Sequence, residues 1–200
     1  GGSDACELIV YGDPFGTSKM ISDWPSGYGR RILAEVDSTL SEAARIASAL
    51  AGPEWILAHR QTAARGRRGR GWAMPEGNFA ATLVMPLDEQ PGQAALRSFV
   101  ASLALRDAFV AVSGKEATFA LKWPNDVLLR GDKVAGILLE SVSAGAGVTH
   151  LSIGIGVNLA KAPKPAMVEP DAVRPVALKA ALGVDVTPEA FLGHLARAYA

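Results

Sequence analysis

From Arg31 onward the chain alternates short apolar runs with turn-forming residues, and most runs have a readable period. Ile32–Val36 reads as a strand. Thr39 as N-cap and Glu42 at N3 form a capping box, opening a helix that runs to about Leu50, where Gly52-Pro53 stops it. Trp55–His59 is a second strand, and Phe79–Met85 a third, ended by Pro86. Ala94–Val112 is a long, alanine-rich, apolar helix, predicted to lie centrally in the core. Thr118–Lys122, Val127–Leu129 and Lys133–Val142 are further strands, the last two joined by a tight turn at Gly131-Asp132. Thr149–Leu159 alternates apolar with small residues and reads as another strand. A proline-rich connection, Pro163–Pro175, leads to helices at Val176–Ala181 and Pro188–Ala200, the latter with Thr187 as N-cap and Pro188 at N1. Consecutive strands with short joins pair antiparallel. The pattern therefore predicts an α+β fold, a mostly antiparallel sheet with helices packed on it.

Residues 1–30 have no such period. They are rich in Gly, Pro, Ser and Asp, with a short apolar run at Leu8–Tyr11. The 200 residues suit one large domain or two small ones, and a 49% hydrophobic content is ample for a core. Twenty basic and 20 acidic residues leave a formal net charge of zero, which speaks against a nucleic-acid partner. Cys6 is the single cysteine, so neither a disulfide framework nor a cysteine-rich zinc site is possible. No apolar run approaches the ~18 residues of a membrane span, and the first residues lack the pattern of a signal peptide. A cytoplasmic enzyme or binding domain, with no membrane partner, is the expectation.

Local chemistry stands out against this neutral background. Arg65-Gly66-Arg67-Arg68-Gly69-Arg70-Gly71-Trp72 is a run of fixed positive charge on a permissive backbone. It suits a loop that closes over an anion, with a solvated basic loop or a phosphodiester patch as alternatives. Lys122-Trp123-Pro124-Asn125-Asp126 puts one lysine at a strand end, before a rigid corner. Asp126 also offers oxygen to Mg²⁺. Lys133 starts the strand of Lys133-Val134-Ala135-Gly136-Ile137-Leu138-Leu139-Glu140, close to that corner, and Gly136 suggests a close approach by backbone or ligand. Gly154 and Gly156 share a strand face with Asn158 and leave a smooth floor for a flat ligand. Asp37-Ser38-Thr39 ends a strand and opens a helix, where free N–H groups and hydroxyls can bind a polar ligand, although capping alone explains Thr39. No phosphate-binding P-loop motif and no full dinucleotide fingerprint is present.

In order and spacing, Asp-Ser-Thr, Gln-x-x-x-Arg-Gly-Arg-Arg-Gly-Arg-x-Trp, Lys-Trp-Pro-Asn-Asp, Lys-Val-Ala-Gly-Ile-Leu-x-Glu and Gly-Ile-Gly-Val-Asn-Leu closely resemble the biotin–protein ligase catalytic domain. The resemblance runs from about Trp24 to the C-terminus. It implies a fold similar to class II aminoacyl-tRNA synthetases. It also implies ATP- and Mg²⁺-dependent activation of biotin to biotinyl-5′-adenylate, then transfer to a lysine of a biotin carboxyl carrier protein. By position, Ser38, Thr39, Leu40, Gln61, Arg65, Gly66, Arg67, Lys122, Gly154 and Gly156 are expected around biotin. Arg67, Arg70, Trp72, Asn125, Lys133 and Asn158 are expected around ATP or the adenylate, with Trp72 near the adenine. Lys122 and Arg67 are the expected catalytic residues, and Asp126 the candidate for metal or the acceptor lysine.

Two residues depart from the family pattern. Leu40 stands where asparagine is usual, making a more apolar wall, and Ala64 stands where glycine is usual, stiffening the loop. Residues 1–23 are expected to be an extension of unclear role and 24–200 the catalytic domain. No helix-turn-helix unit precedes it, so a repressor role is not expected; the family's small C-terminal barrel is missing from these 200 residues, which implies either a truncated chain or a reduced form. The oligomeric state is open between monomer and homodimer. The rivals are a lipoate–protein ligase, which the intact Arg/Gly loop disfavours, and a non-catalytic biotin or adenylate-binding module, which the retained Lys122 disfavours.

Overall fold

The computed structural model describes residues 23–66, 69, 71–144, 147–164 and 172–200. Seven strands form one sheet: β1 (Gly29–Val36), β2 (Glu54–Gln61), β3 (Phe79–Glu89), β4 (Phe119–Lys122), β5 (Asp126–Leu129), β6 (Asp132–Ala144) and β7 (Gly147–Val157). Their order is β1-β2-β3-β7-β6-β5-β4. Only β1 and β2 pair parallel, because α1 (Thr39–Ile46) crosses between them; all other neighbours are antiparallel. The α+β expectation, with a mostly antiparallel sheet, is what the chain adopts.

The period of two along the strands sorts residues onto two faces. Phe79, Ala81, Leu83 and Met85 of β3, with Leu151, Ile153, Ile155 and Val157 of β7, enter the main core. Helices α2 (Pro91–Ser113) and α4 (Pro188–Tyr199) close that core from outside. Phe191 is its hub, with ring centroids 5.2 Å from both Phe79 and Phe109, and Phe109 stacks on Phe119 at 4.9 Å. On the opposite face Ile56 and Val84 pack under Ala43 and Ala47, so α1 covers only part of the sheet there. A cavity lies beside α1 on that face.

Several local expectations change. Ser38, not Thr39, caps α1: it is extended (φ −157°, ψ 139°) and its side chain accepts from Leu40 N–H at 3.2 Å. Thr39 is free for another task, described below. β3 passes through Pro86 to Glu89, with a bulge against β7 between those two residues. The β2 pairing stops at Val84, so Pro86 sits where the strand has an edge on that side and a proline is tolerated. The β5–β6 turn is Arg130-Gly131 (φ 52° and 90°), and Asp132 already pairs with Leu129. Val176 is not helical, because its N–H is used on Lys133 O; Lys133 N–H in turn donates to Arg174 O, and α3 spans Leu178–Leu182. The apolar helix α2 is not central. It buries one face (Ala101, Leu105, Ala108, Phe109) and leaves Leu96, Phe99, Val100 and Leu103 exposed on another.

Phe191→Ala should lower unfolding stability by about 3–5 kcal/mol in denaturant titration, as a large buried ring is deleted. Leu103→Ala, at an exposed position, should stay within about 0.5 kcal/mol of wild type.

Candidate functional site

The uncovered face holds a cavity of about 630 Å³ bounded by α1, β6, β7, the Arg/Gly loop and the Lys122 corner. Its floor is made by small residues. Ala80, Gly156 and Gly136 form a row across β3, β7 and β6, and Thr82, Gly154 and Leu138 form the next row. The bare floor is not open. A methyl built on Gly156 would lie 2.6 Å from Trp72 Cε2, and one on Gly136 3.3 Å from Trp72 Cζ3. A methyl on Gly154 would lie 2.9 Å from Leu40 Cδ1 and Cγ. The flat group on the glycine floor is therefore the indole of Trp72, with Leu40 filling the neighbouring seat. Gly136 marks a close approach by the side chains of Trp72 and Lys133, not by the backbone or ligand expected. Trp72 is held by Lys133, whose Nζ is 5.6 Å from its ring centroid.

The polar end of the cavity is a network that sequence patterns show only in part. Thr82 Oγ1 donates to Thr39 Oγ1 at 2.8 Å, in a buried site. Thr39 N–H and Oγ1 both donate to Gln61 Oε1, at 2.8 and 3.2 Å. Gln61 Oε1 is thus satisfied and its amide nitrogen turns away, 3.6 Å from Met74 Sδ. The hydroxyl proton of Thr39 is committed, while Ser38 Oγ accepts from Leu40 N–H and keeps its own proton to donate. Thr82 is the residue that motif reasoning passed over. Its signal was one hydroxyl inside the otherwise apolar run Phe79–Met85.

The cationic end is organised by pairing. Lys122 closes β4, opposite Asp126 in the β4–β5 ladder. Asn125 pins the corner to β6: its Nδ2 donates to Ile137 O at 2.9 Å, and its carbonyl accepts from Ile137 N–H at 2.8 Å. The Trp123–Pro124 peptide within this corner is cis. Asp126 lies 2.9 Å from Lys133 Nζ, an ion pair at the cavity wall. Its Oδ1 is buried without an aligned hydrogen bond. Lys122 lines the cavity and has no carboxylate within ion-pair distance among the described residues. Asn158 is buried beside the cavity and accepts from Asn78 Nδ2 at 3.4 Å, while Asn78 Oδ1 holds the N–H groups of Ala160 and Lys161 at 3.0 Å.

Arg65 and Gly66 line the cavity. The guanidinium of Arg65, however, is engaged by Glu140 and Ser41. Arg67, Arg68 and Arg70 lie outside the described residues. No cluster of three or more His, Cys, Asp or Glu able to hold a metal occurs among the described residues, and no helix there is long and apolar enough to cross a membrane.

Asp37 stands just before the Ser38 cap. Arg45 grips its carboxylate with two hydrogen bonds (3.0 and 2.7 Å), and Ser38 N–H adds a third at 2.7 Å. The Arg45 hydrogen bond is the main reason that the Asp37 pKa falls from 3.8 to about 2. A depressed folded-state pKa stabilises the fold above the unfolded value and loses that contribution as pH falls through the folded one. Asp37→Asn should therefore be less stable than wild type above pH 3.8, with the deficit disappearing as pH falls to about 2. Thermal unfolding across that range checks this. Gly156→Ala should displace the Trp72 indole and cost about 1–3 kcal/mol. In a Trp72→Ala background most of that cost should vanish, which a double-mutant cycle measures.

The model of the Biotin/lipoate A/B protein ligase family matches residues 29–158. A "Biotin--[acetyl-CoA-carboxylase] ligase" of Paracoccus denitrificans is 54% identical over 84% of this chain and 70% of its own length. Among solved structures, a biotin protein ligase from Leishmania major in complex with biotinyl-5-AMP superposes with a TM-score of 0.69, at 29% identity, over 86% of this chain and 73% of that one. A biotin protein ligase from Aquifex aeolicus in complex with biotin and ATP gives 0.67 at 28% identity, over 86% and 68%. With its sheet, its glycine floor and its Arg/Gly loop in the matched region, the chain belongs to the biotin/lipoate A/B protein ligase family.

Proposed function

We propose that this chain carries the catalytic region of a biotin–protein ligase. It joins biotin to ATP as biotinyl-5′-adenylate and then passes the biotinyl group to a lysine of a carboxyl carrier protein. The observation that carries this reading is that Lys122, with no ion-pair carboxylate among the described residues, lines one cavity with the hydroxyl and amide set of Ser38, Thr39 and Gln61. The 54% identity to a named ligase of this kind, and structural neighbours holding biotin, ATP or biotinyl-5-AMP, support it.

In the first step the biotin carboxylate oxygen attacks the α-phosphorus, the bond to the β-phosphate bridging oxygen breaks, and pyrophosphate leaves with that electron pair. Two anions meet in this step, and preorganised positive charge lowers its barrier. Lys122 supplies that charge between carboxylate and α-phosphate, because Asp126, its neighbour in the ladder, is already neutralised by Lys133. Arg67 and Arg70 carry the loop's charge toward the phosphates. Ser38 donates to the ureido end of biotin, with Gln61 beside it, and Leu40 and Trp72 wall the apolar ring and chain. Trp72 keeps its outer face for the adenine, with Lys133 and Asn158 at the nucleotide side. Mg²⁺ binds few protein oxygens when phosphates supply the rest; Asp126 would hold it only by giving up the contact of its Oδ1 with Lys133 Nζ, and the ion would offset phosphate charge. In the second step the carrier's lysine amine attacks the acyl carbon and AMP departs.

The chain should exchange labelled pyrophosphate into ATP when biotin is present, and not when lipoate replaces it. Exchange with lipoate alone would overturn the reading. Lys122→Ala should slow single-turnover adenylate formation by on the order of 10²–10³-fold, the usual size of one electrostatic contact to a transition state. An unchanged rate would remove Lys122 from the mechanism.

A further inference from the structure

Asn78 sits in the turn before β3 and is 2% exposed. Its N–H donates to Pro75 O at 3.1 Å. Gly77, with a φ of 83°, brings this turn so close to the end of β7 that a methyl on it would lie 2.9 Å from Ala160 Cβ. Asn78 Oδ1 accepts from the N–H groups of Ala160 and Lys161, each at 3.0 Å. Two donors on one atom fix the orientation of the amide, because its nitrogen cannot accept. Asn78 Nδ2 is therefore turned the other way, where it donates to Lys161 O at 2.7 Å and to Asn158 Oδ1 at 3.4 Å.

That last contact is long, and its direction matters more than its strength. Asn158 is also 2% exposed, and its backbone is tied down: its N–H donates to Val134 O and its carbonyl accepts from Leu178 N–H, both at 2.9 Å. Asn78 is the partner of its side chain among the described residues. A flipped Asn158 amide would set two NH₂ groups face to face in a buried place, leaving donors unsatisfied. Oδ1 thus faces Asn78. Nδ2 has no acceptor among the described residues and is open to the cavity that Asn158 lines. The cavity meets a donor at this point of its wall.

We propose that Asn78 is a positioning residue for nucleotide binding: it holds the Asn158 amide with Nδ2 toward the cavity, where Nδ2 donates to an acceptor atom of ATP. The proposal rests on the ligase reading, which puts Asn158 at the nucleotide side. Asn78 itself does not line the cavity, so its effect on a nucleotide passes through Asn158 or through the backbone at 160–161. A donor that serves bound ATP and the transition state alike acts on KM for ATP rather than on kcat.

The test measures biotin-dependent pyrophosphate exchange by the full chain with Asn78→Asp, Asn158→Ala and the double variant. It is run at about pH 8, where a carboxylate that accepts two N–H bonds is ionised. One oxygen of the new carboxylate can still hold Ala160 and Lys161. The other can only accept, so Asn158 must turn Nδ2 toward it and present Oδ1 to the cavity. Asn78→Asp should raise KM for ATP by on the order of tenfold, the usual effect of one lost hydrogen bond, with KM for biotin and kcat within about twofold of wild type. Hydrogen exchange of the Ala160 and Lys161 amides should stay within about threefold of wild type, since their acceptor remains. Asn158→Ala should raise KM for ATP by a similar factor, and the double variant should exceed it by less than about twofold. If Asn78→Asp does not fold, Asn78→Ala takes its place in the cycle, with the same shortfall from additivity expected. Full additivity would overturn the proposal, because Asn78 would then act through the backbone at 160–161. An unchanged KM for ATP in Asn78→Asp, or an equal rise in KM for biotin, would overturn it too. If wild type shows no biotin-dependent exchange, the ligase reading has failed, and the NMR signal of the Asn158 side-chain amide still decides the orientation. Asn78→Asp should move that signal downfield as Nδ2 gains a carboxylate acceptor, and an unmoved signal would overturn the proposal.

Discussion

Ala80, Gly156 and Gly136 leave three adjacent central strands nearly without side chains at one level of the sheet. That gap is the constraint on which the site depends. An indole lies flat on the row and brings the end of the Arg/Gly run down onto the sheet. α1 covers β2 and β3 at Ile56 and Val84 and reaches β7 through Leu40, and the cavity lies on the part of this face that it leaves uncovered. A single methyl on Gly156 would meet the indole at 2.6 Å, well inside van der Waals contact.

Charge is distributed around this floor by pairing rather than by number. The chain is formally neutral, yet one wall of the cavity carries several cations. Lys133 is spent on Asp126 and Arg65 on Glu140, and both pairs fasten structure. Lys122 is left over, and the corner that presents it is fastened by Asn125 to β6. A site that must receive a carboxylate and a triphosphate gains from this economy. Paired cations shape such a site without pulling in anions indiscriminately.

How much of this could be read from residues depends on the range of the interaction. Strands and helices with strong local period were legible, as were the motifs that line the cavity. Interactions set by neighbours in space were not. Ser38 and Thr39 are equivalent capping residues on paper; the buried Thr82 beneath Thr39 draws it into the Gln61 network and leaves the cap to Ser38. Pro86 stops a strand locally, but β2 ends before reaching it, so nothing there needs its missing N–H. Glu140 was visible inside the Lys-Val-Ala-Gly-Ile-Leu-Leu-Glu run, but its partner lies 75 residues away. The glycines at 154 and 156 suggested a bare floor for a flat ligand, and only the fold could say that the side chains of Leu40 and Trp72 rest on it.

The alternation along β7 has a consequence for how this protein can change over time. Leu151, Ile153, Ile155 and Val157 belong to the packed interior, while Gly154 and Gly156 belong to the cavity. Point substitutions on one set leave the other in place, so ligand preference and foldability can drift separately. Insertion or deletion of a single residue within the strand allows no such independence. It would turn isoleucines onto the seats of Leu40 and Trp72 and glycines into the packed interior, abolishing binding and folding together. Length variation among relatives should therefore collect in the connections flanking Gly147–Val157 and spare the strand itself.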